Sequence, residues 1–379
     1  MVPVLVLFWE SCGLSVLDIY LLQAAFALSS AALEVPTGMV ADRLGRRASL
    51  LSGQLIVGLG FLFYAASGGF WSFLVAEVII ALGAALLSGA DAALLYDSLA
   101  ALGREEEYTE QEGRARAVRL LSFALCNLLG GALAVWSLRA TLWASAVGPL
   151  LALGVVASFA DINPPRRKGS AREELSAYRA LLGGALRFVR KHRLVRWHLS
   201  LYAVLMGSAS WLLWMYQPYM SLTGLPLWSF GVAFALYNLF AAGCSRLAGR
   251  FEQRLGPRGA LVALGALHLL PLLLMATVVG PLSFLFVLGH QAVRGLFRPI
   301  ITGQVLRHTY DDKRATVLSL ATLGGRLFFA LTAPVVGFFG DRLALTDAIL
   351  LQGALLAGIF AFLAWRYVSI PEKYLRPSQ

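Results

Sequence analysis

Charge is what this chain has least of. Of its 379 residues 14% are Asp, Glu, Lys or Arg and 58% are hydrophobic, where a soluble domain carries roughly 25% charged residues. So little polar surface cannot cover a water-facing sphere, and a soluble globular fold is excluded. Cysteine is nearly absent. Cys12, Cys126 and Cys244 lie far apart in apolar or near-apolar segments with no C-x-x-C pair. That spacing excludes a disulfide framework and a cysteine metal site, and the three read as small buried hydrophobes. The catalytic signatures are missing too. There is no H-E-x-x-H, no G-x-S-x-G and no G-x-x-x-x-G-K-[ST], so we expect no enzyme, no cofactor, no metal and no direct drive by nucleotide hydrolysis. The opening "MVPVLVLFWESCGLS" has neither the basic region nor the small-residue cleavage site of a signal peptide.

What is present is apolar stretches of helix-spanning length from end to end; about 20 residues cross a bilayer. The spans fall at about 16–38, 48–67, 70–99, 114–136, 140–160, 197–219, 227–250, 259–279, 282–308, 313–339 and 345–367, with a short first segment at 2–10. We number them 1 to 12, the short segment being span 1. It has only about ten apolar residues, roughly 15 Å of helix, and reads as a first span truncated at its N-terminus by a late start or a deletion. Ser15-x-x-Asp18 forms a capping-box start for span 2. The expected fold is an all-α polytopic membrane protein.

The net charge of +11 is placed like a topology signal, not like a nucleic-acid surface. Arg43, Arg46, Arg47, Arg104, Arg114, the basic cluster of 166–196, Arg254, Arg258, Arg307, Lys313, Arg314, Lys373 and Arg376 fall in alternate connections and the tail; the opposite connections hold Arg139 and Arg342. Basic loops face the cytoplasm, so both termini and the middle loop are expected there, in a multi-pass plasma-membrane protein. The middle loop is broken by "NPPRRKGS" and then becomes periodic: Leu175, Tyr178, Leu182, Leu186 and Val189 lie opposite Arg179, Arg187, Arg190 and Lys191. A basic amphipathic helix of this kind lies along a bilayer surface. The expected organisation is an N-terminal six-helix bundle over 1–160, a cytoplasmic linker over 161–196, and a C-terminal six-helix bundle with a short tail over 197–379.

The halves repeat. "GMVADRLGRR" sets Gly38 and Gly45 seven apart, with Arg43 and Leu44 before the second Gly; "GRFEQRLGPR" sets Gly249 and Gly256 seven apart, with Arg254 and Leu255 in the same places. Gln253 stands where Asp42 would be, with Glu252 beside it. Parallel repeats of this kind build transporters. The first copy resembles the loop 2–3 motif of the major facilitator superfamily, G-x-x-x-D-R-x-G-R-R, at every fixed position. With "LEVPTGMVADRLGRR", "SGADAALLYDSL" and "RATVLSL" the chain is similar to bacterial members of uncertain substrate. The resemblance implies two pseudo-symmetric six-helix bundles and a secondary active transporter of the bacterial inner membrane. It works by alternating access, proton-coupled, as a monomer, with efflux of an anionic or amphipathic small molecule slightly preferred over uptake. The rival from another class is a non-transporting membrane sensor or scaffold on the same fold. Span 5 has paired glycines but lacks the Gly-Pro of the superfamily's exporter motif, which weakens an antiporter reading without excluding it.

The motif implies a cytoplasmic gate of Gly38, Asp42, Arg43, Gly45, Arg46, Arg47 and Asp97. The resemblance sets Asp42 near the start of span 11, by Ala315, where a helix dipole favours an anion. Arg46 should pair with an acid at the cytoplasmic end of span 4, and Asp97 is at that end. Gly38 is expected to allow close helix approach and Gly45 a tight turn. The plainer reading of the arginines is topology alone, which does not call for the Asp or the glycine spacing. Ionisable residues inside spans are costly and therefore candidates. These are Glu34, Glu77 and Asp91 in the first half, and His290, Arg294, Arg298 and Arg326 in the second, for substrate binding, ion coupling or pairing across a cavity. Trp211 and Asn238 are further cavity candidates, while Trp214, Tyr216 and Tyr219 read as an interfacial aromatic belt.

Overall fold

A computed structural model describes residues 2–160, 171–310 and 313–370. The Asn163–Ser170 break, Lys373, Arg376 and the side chains of Asp42, Leu175 and Tyr178 lie outside what is described. The helices are α1 (Leu5–Ser11, led by a 3-10 turn Val2–Val4), α2 (Val16–Leu44), α3 (Arg46–Ala66), α4 (Phe70–Leu87) and α5 (Ala90–Ala101). Next come α6 (Tyr108–Trp136), α7 (Leu138–Ala157), α8 (Ala171–Lys191), α9 (Arg193–Leu222) and α10 (Leu227–Thr277). The last are α11 (Val287–Arg307), α12 (Arg314–Gly340) and α13 (Leu345–Val368). Among the described residues nine helices are long and apolar enough to cross a membrane. One of them, α10, is two spans joined at Gly256, whose φ of 70° and ψ of 167° interrupt the helix. Span 10 (α11) is not among the nine; His290, Gln291, Arg294 and Arg298 interrupt its apolar character. With α11 and the short α1, the described residues hold the twelve spans expected, α4 with α5 counting as one and α10 as two. The large apolar side chains they expose, Leu331 at 75% and Val262 at 73% among them, suit a hydrocarbon surrounding.

The described residues form two compact units: Met1–Glu174 with Leu227–Ala235, and Leu175–Pro226 with Leu236–Gln379. In the first, α3 packs on α4 and α7, and α2 on α4. The α3–α4 crossing is made by two glycines: a Cβ on Gly83 would lie 2.9 Å from the Gly53 carbonyl oxygen, and one on Gly53 would lie 3.0 Å from that of Gly83. Small residues bring helix backbones together where no water-driven force acts between apolar surfaces. In the second unit α9 packs chiefly on α12 and also on α11, with Gly207 set against Gly325 and Phe328.

The expected capping box forms: Asp18 N–H donates to Ser15 Oγ at 3.1 Å and Ser15 N–H to Asp18 Oδ2 at 3.0 Å. Elsewhere the boundaries move. Span 2 does not stop at residue 38; α2 runs to Leu44, and only Gly45, at φ 92°, breaks the chain before α3. Span 4 is not continuous. It divides at Ser88–Gly89, with Gly89 at φ 78°, into α4 and α5. None of the cysteines is buried, and Cys126 is exposed; where the surroundings are apolar, a small thiol has no reason to turn inward. The aromatic belt also fails in part, because Tyr216 and Tyr219 are core residues at 3% and 0% exposure. The amphipathic helix exists as α8, but the face it buries is Ala185, Phe188 and Val189, while Leu186 is 40% exposed. Phe188 packs edge-on against Tyr310, under the Lys313 ammonium. This contact pins the end of α8 to the α11–α12 connection and sets its rotation.

Candidate functional site

Three groups of polar side chains stand out, two within spans and one at the basic helix ends. In the first unit Glu77, on α4, is 5% exposed. Gln23 Nε2, from α2, donates to its Oε1 at 2.8 Å, and Tyr64 OH, from α3, donates to the same oxygen at 3.0 Å. Trp9 Nε1, from α1, donates to Tyr64 OH at 2.6 Å. Four helices are therefore tied together around one carboxyl, and among the described residues no salt bridge brings it a basic side chain. Burying a carboxyl among apolar helices is costly unless it is hydrogen-bonded, and the Gln23 and Tyr64 donors supply that.

In the second unit Arg294 sits in mid-helix, roughly 10 Å from the start of α11 and roughly 20 Å from its end. Its guanidinium donates to Asn238 Oδ1, on α10, at 2.7 Å and to Gln291 Oε1 at 2.9 Å. Among the described residues no carboxylate is paired with it. Arg298, one turn on, is exposed on the same stripe. His290 is turned inward instead: it is 1% exposed, its Nε2 meets the His268 carbonyl at 3.0 Å, and its ring stacks on Tyr216. Trp211 is packed away as well, with Nε1 donating to Thr332 Oγ1 at 3.0 Å and its ring on Phe328. Arg326 is half-buried on α12, and Glu34 is exposed on α2.

At the basic helix ends, Arg46 Nε lies 2.6 Å from Asp97 Oδ2, joining α3 to α5. Arg47 donates to the Val156 and Ala157 carbonyls at 3.4 and 2.7 Å, at the negative end of α7, where a cation is favoured. Asp91 is exposed and bonded to Arg119 at 2.9 Å and to the Ala92 N–H, so it serves the start of α5. Gly38 has no heavy atom within 4 Å of an added Cβ. The close approach expected of it is absent among the described residues, whereas the turn expected of Gly45 is present. In the second copy, Glu252 Oε1 accepts from Gln304 Nε2 at 3.0 Å, and Gln304 Oε1 in turn meets His198 Nε2 at 2.7 Å. Arg307 lies 3.5 Å from Glu252 Oε2.

Attention to ionisable residues missed Gln23, Tyr64, Trp9, Gln291, Gln304 and His198. For Gln23 the signal was an amide isolated in an apolar run, "LLQAAF". Among the described residues no three His, Cys, Asp or Glu side chains gather as a metal site requires.

A repeated all-helical membrane body with polar side chains placed inside its spans is the architecture of a solute carrier. The family description "Major Facilitator Superfamily" matches residues 1–333, and the chain belongs to that superfamily: it is a multi-pass membrane protein of the transporter class. No curated protein matches the sequence. Among solved structures it is similar to the nucleoside transporter NupG in a mutant form, with a TM-score of 0.80 and 13% identity over 96% of this chain and 94% of that one. Unmutated NupG gives 0.78 and 12%, over 97% and 94%. A peptide transporter POT in complex with sulfate gives 0.67 and 16%, over 97% and 92%. At these identities the likeness is one of fold.

Proposed function

We propose that this chain is a secondary active transporter of a small polar solute, working by alternating access. Arg294, Asn238 and Gln291 form part of its binding site, and Glu77 carries a coupled proton. The observation that carries the reading is Arg294. An exposed guanidinium in mid-span, bonded to two neutral amides and paired with no carboxylate among the described residues, is costly against lipid and settles against water or an anionic, acceptor-rich ligand. The solved neighbours are named as carriers of nucleosides and of peptides, both polar solutes rich in acceptors. With basic ends facing the cytoplasm, both termini lie inside the cell and the chain acts as a monomer in the plasma membrane. The gate at the cytoplasmic side uses Asp42, with Arg46 and Asp97 as its bracing pair.

The test is a ligand screen by thermal shift on the purified chain, followed by flux into proteoliposomes. A bound solute raises Tm. Arg294→Gln should weaken that solute by roughly ten- to a hundredfold, the strength of one hydrogen bond to a charged group, with Arg294→Lys intermediate. Undiminished affinity in Arg294→Gln would reject the site. A solute that binds but never crosses a sealed vesicle would instead favour a membrane sensor or scaffold on the same fold.

A further inference from the structure

At the arginine-bearing end of the second unit, the first turns of α9 and the last turn of α13 border a recess of about 300 Å³ whose lining includes Arg193, Arg196 and Arg366. Its apolar wall is Trp197, Leu363 and Phe362. Trp197 fixes that wall, since its Nε1 donates to the Leu363 carbonyl at 2.6 Å and its ring lies 4.6 Å from that of Tyr367. Among the described residues no carboxylate is paired with any of the three arginines. Arg196 spends one N–H on the Arg190 carbonyl. Helix-end electrostatics do not explain Arg193 and Arg196, because they crowd the positive end of α9, where no acidic residue occupies the first turn. The inside-positive bias calls for basic residues at this end, but not for three lining one recess.

Trp197, Leu363 and Ile370 also border a second, larger groove of about 780 Å³. It is lined almost wholly by apolar side chains of α9, the second half of α10 and α13, with Arg258 at its border. On the outer face of α13, Phe362, Trp365 and Val368 are 57%, 62% and 84% exposed. A cationic recess thus opens beside an apolar trough on a membrane-facing surface. We propose that it seats the headgroup phosphate of an anionic phospholipid, with the acyl chains in the trough and a lipid thereby clamped across α9 and α13. The chemistry selects this occupant. A soluble anion has no use for the trough, and a zwitterionic lipid brings a cation to three arginines. The inference is independent of the transported solute.

The test is native mass spectrometry of the full chain in neutral detergent, titrated with phosphatidylglycerol, phosphatidylcholine or inorganic phosphate. Phosphatidylglycerol should remain bound to the wild type and phosphatidylcholine should not. R193Q/R196Q/R366Q should weaken phosphatidylglycerol about a hundredfold, three basic residues at their usual strength toward anionic lipid. R246Q/R250Q/R254Q removes the same charge from exposed positions elsewhere and should bind like the wild type, and unchanged lipid-free Tm values establish that both variants fold. Equal losses in the two triple variants, no loss in the first, or saturation by inorganic phosphate in place of lipid would each overturn the proposal.

Discussion

At the scale of single residues, the two in-span groups differ in a way that sorts their roles. Arg294 keeps an exposed face and is steadied by two amides, which suits a group that meets a solute. Glu77 has almost no exposed surface and is reached through Tyr64, Trp9 and Gln23, which suits a group that exchanges a proton with its own bundle. Glu77→Gln preserves size and the acceptor for Gln23 but cannot carry a proton. We expect it to fold with a Tm close to the wild type, to lose proton-driven accumulation to the level of empty liposomes, and to retain solute counterflow. Full accumulation in Glu77→Gln would remove the proton role and leave the carboxyl a packing element. Glu77 itself was legible in the sequence as a charge in oil. Its partners were not, because helical spacing says nothing about which residues of other helices reach it.

At the scale of elements, the two copies of the loop motif reduce to the same device. One residue with positive φ, Gly45 at 92° or Gly256 at 70°, reverses a chain that is helical on both sides. A side chain in that region costs about 1 kcal/mol or more, so Gly45→Ala and Gly256→Ala should each lower Tm by a few degrees, roughly the shift that such an energy produces. Gly38 is helical with open space around it; Gly38→Ala should leave Tm unchanged or raise it by an amount worth about 0.5–1 kcal/mol. Thermal unfolding of the three purified variants checks the contrast, and equal losses at Gly38 and Gly45 would contradict it. The sequence placed these turns correctly but ended the preceding helices too early. Charged residues at a membrane rim look like loop, although helical backbone continues comfortably out into water. The break at Gly89 was missed for the opposite reason: "SGAD" sits within an apolar pattern that periodicity reads straight through.

At the scale of the whole molecule, transport requires more than either unit's core. The Arg46–Asp97 pair is partly exposed, at 32% and 20%, and such pairs contribute about 0–1 kcal/mol to stability. Its proposed value therefore lies in the transport cycle and not in folding. Asp42→Asn should insert and fold like the wild type while transport falls strongly, measured as flux per inserted protein in proteoliposomes. Wild-type rates would reject the gate and leave the loop arginines as topology signals.

The amino-acid sequence by itself determined the medium, the helix count, the two-fold repeat and the superfamily. These depend on composition, on runs of about 20 apolar residues and on local turn chemistry, all of which are properties of neighbours in the chain. Tertiary structure alone decided which polar groups meet: Glu77 with Gln23 and Tyr64, Arg294 with Asn238, Glu252 with Gln304, and three arginines in one recess between α9 and α13. Those meetings depend on how each helix is rotated about its axis. Inside a bilayer that rotation is set by glycine contacts and hydrogen bonds between helices, because an apolar helix presents much the same face to lipid at every angle.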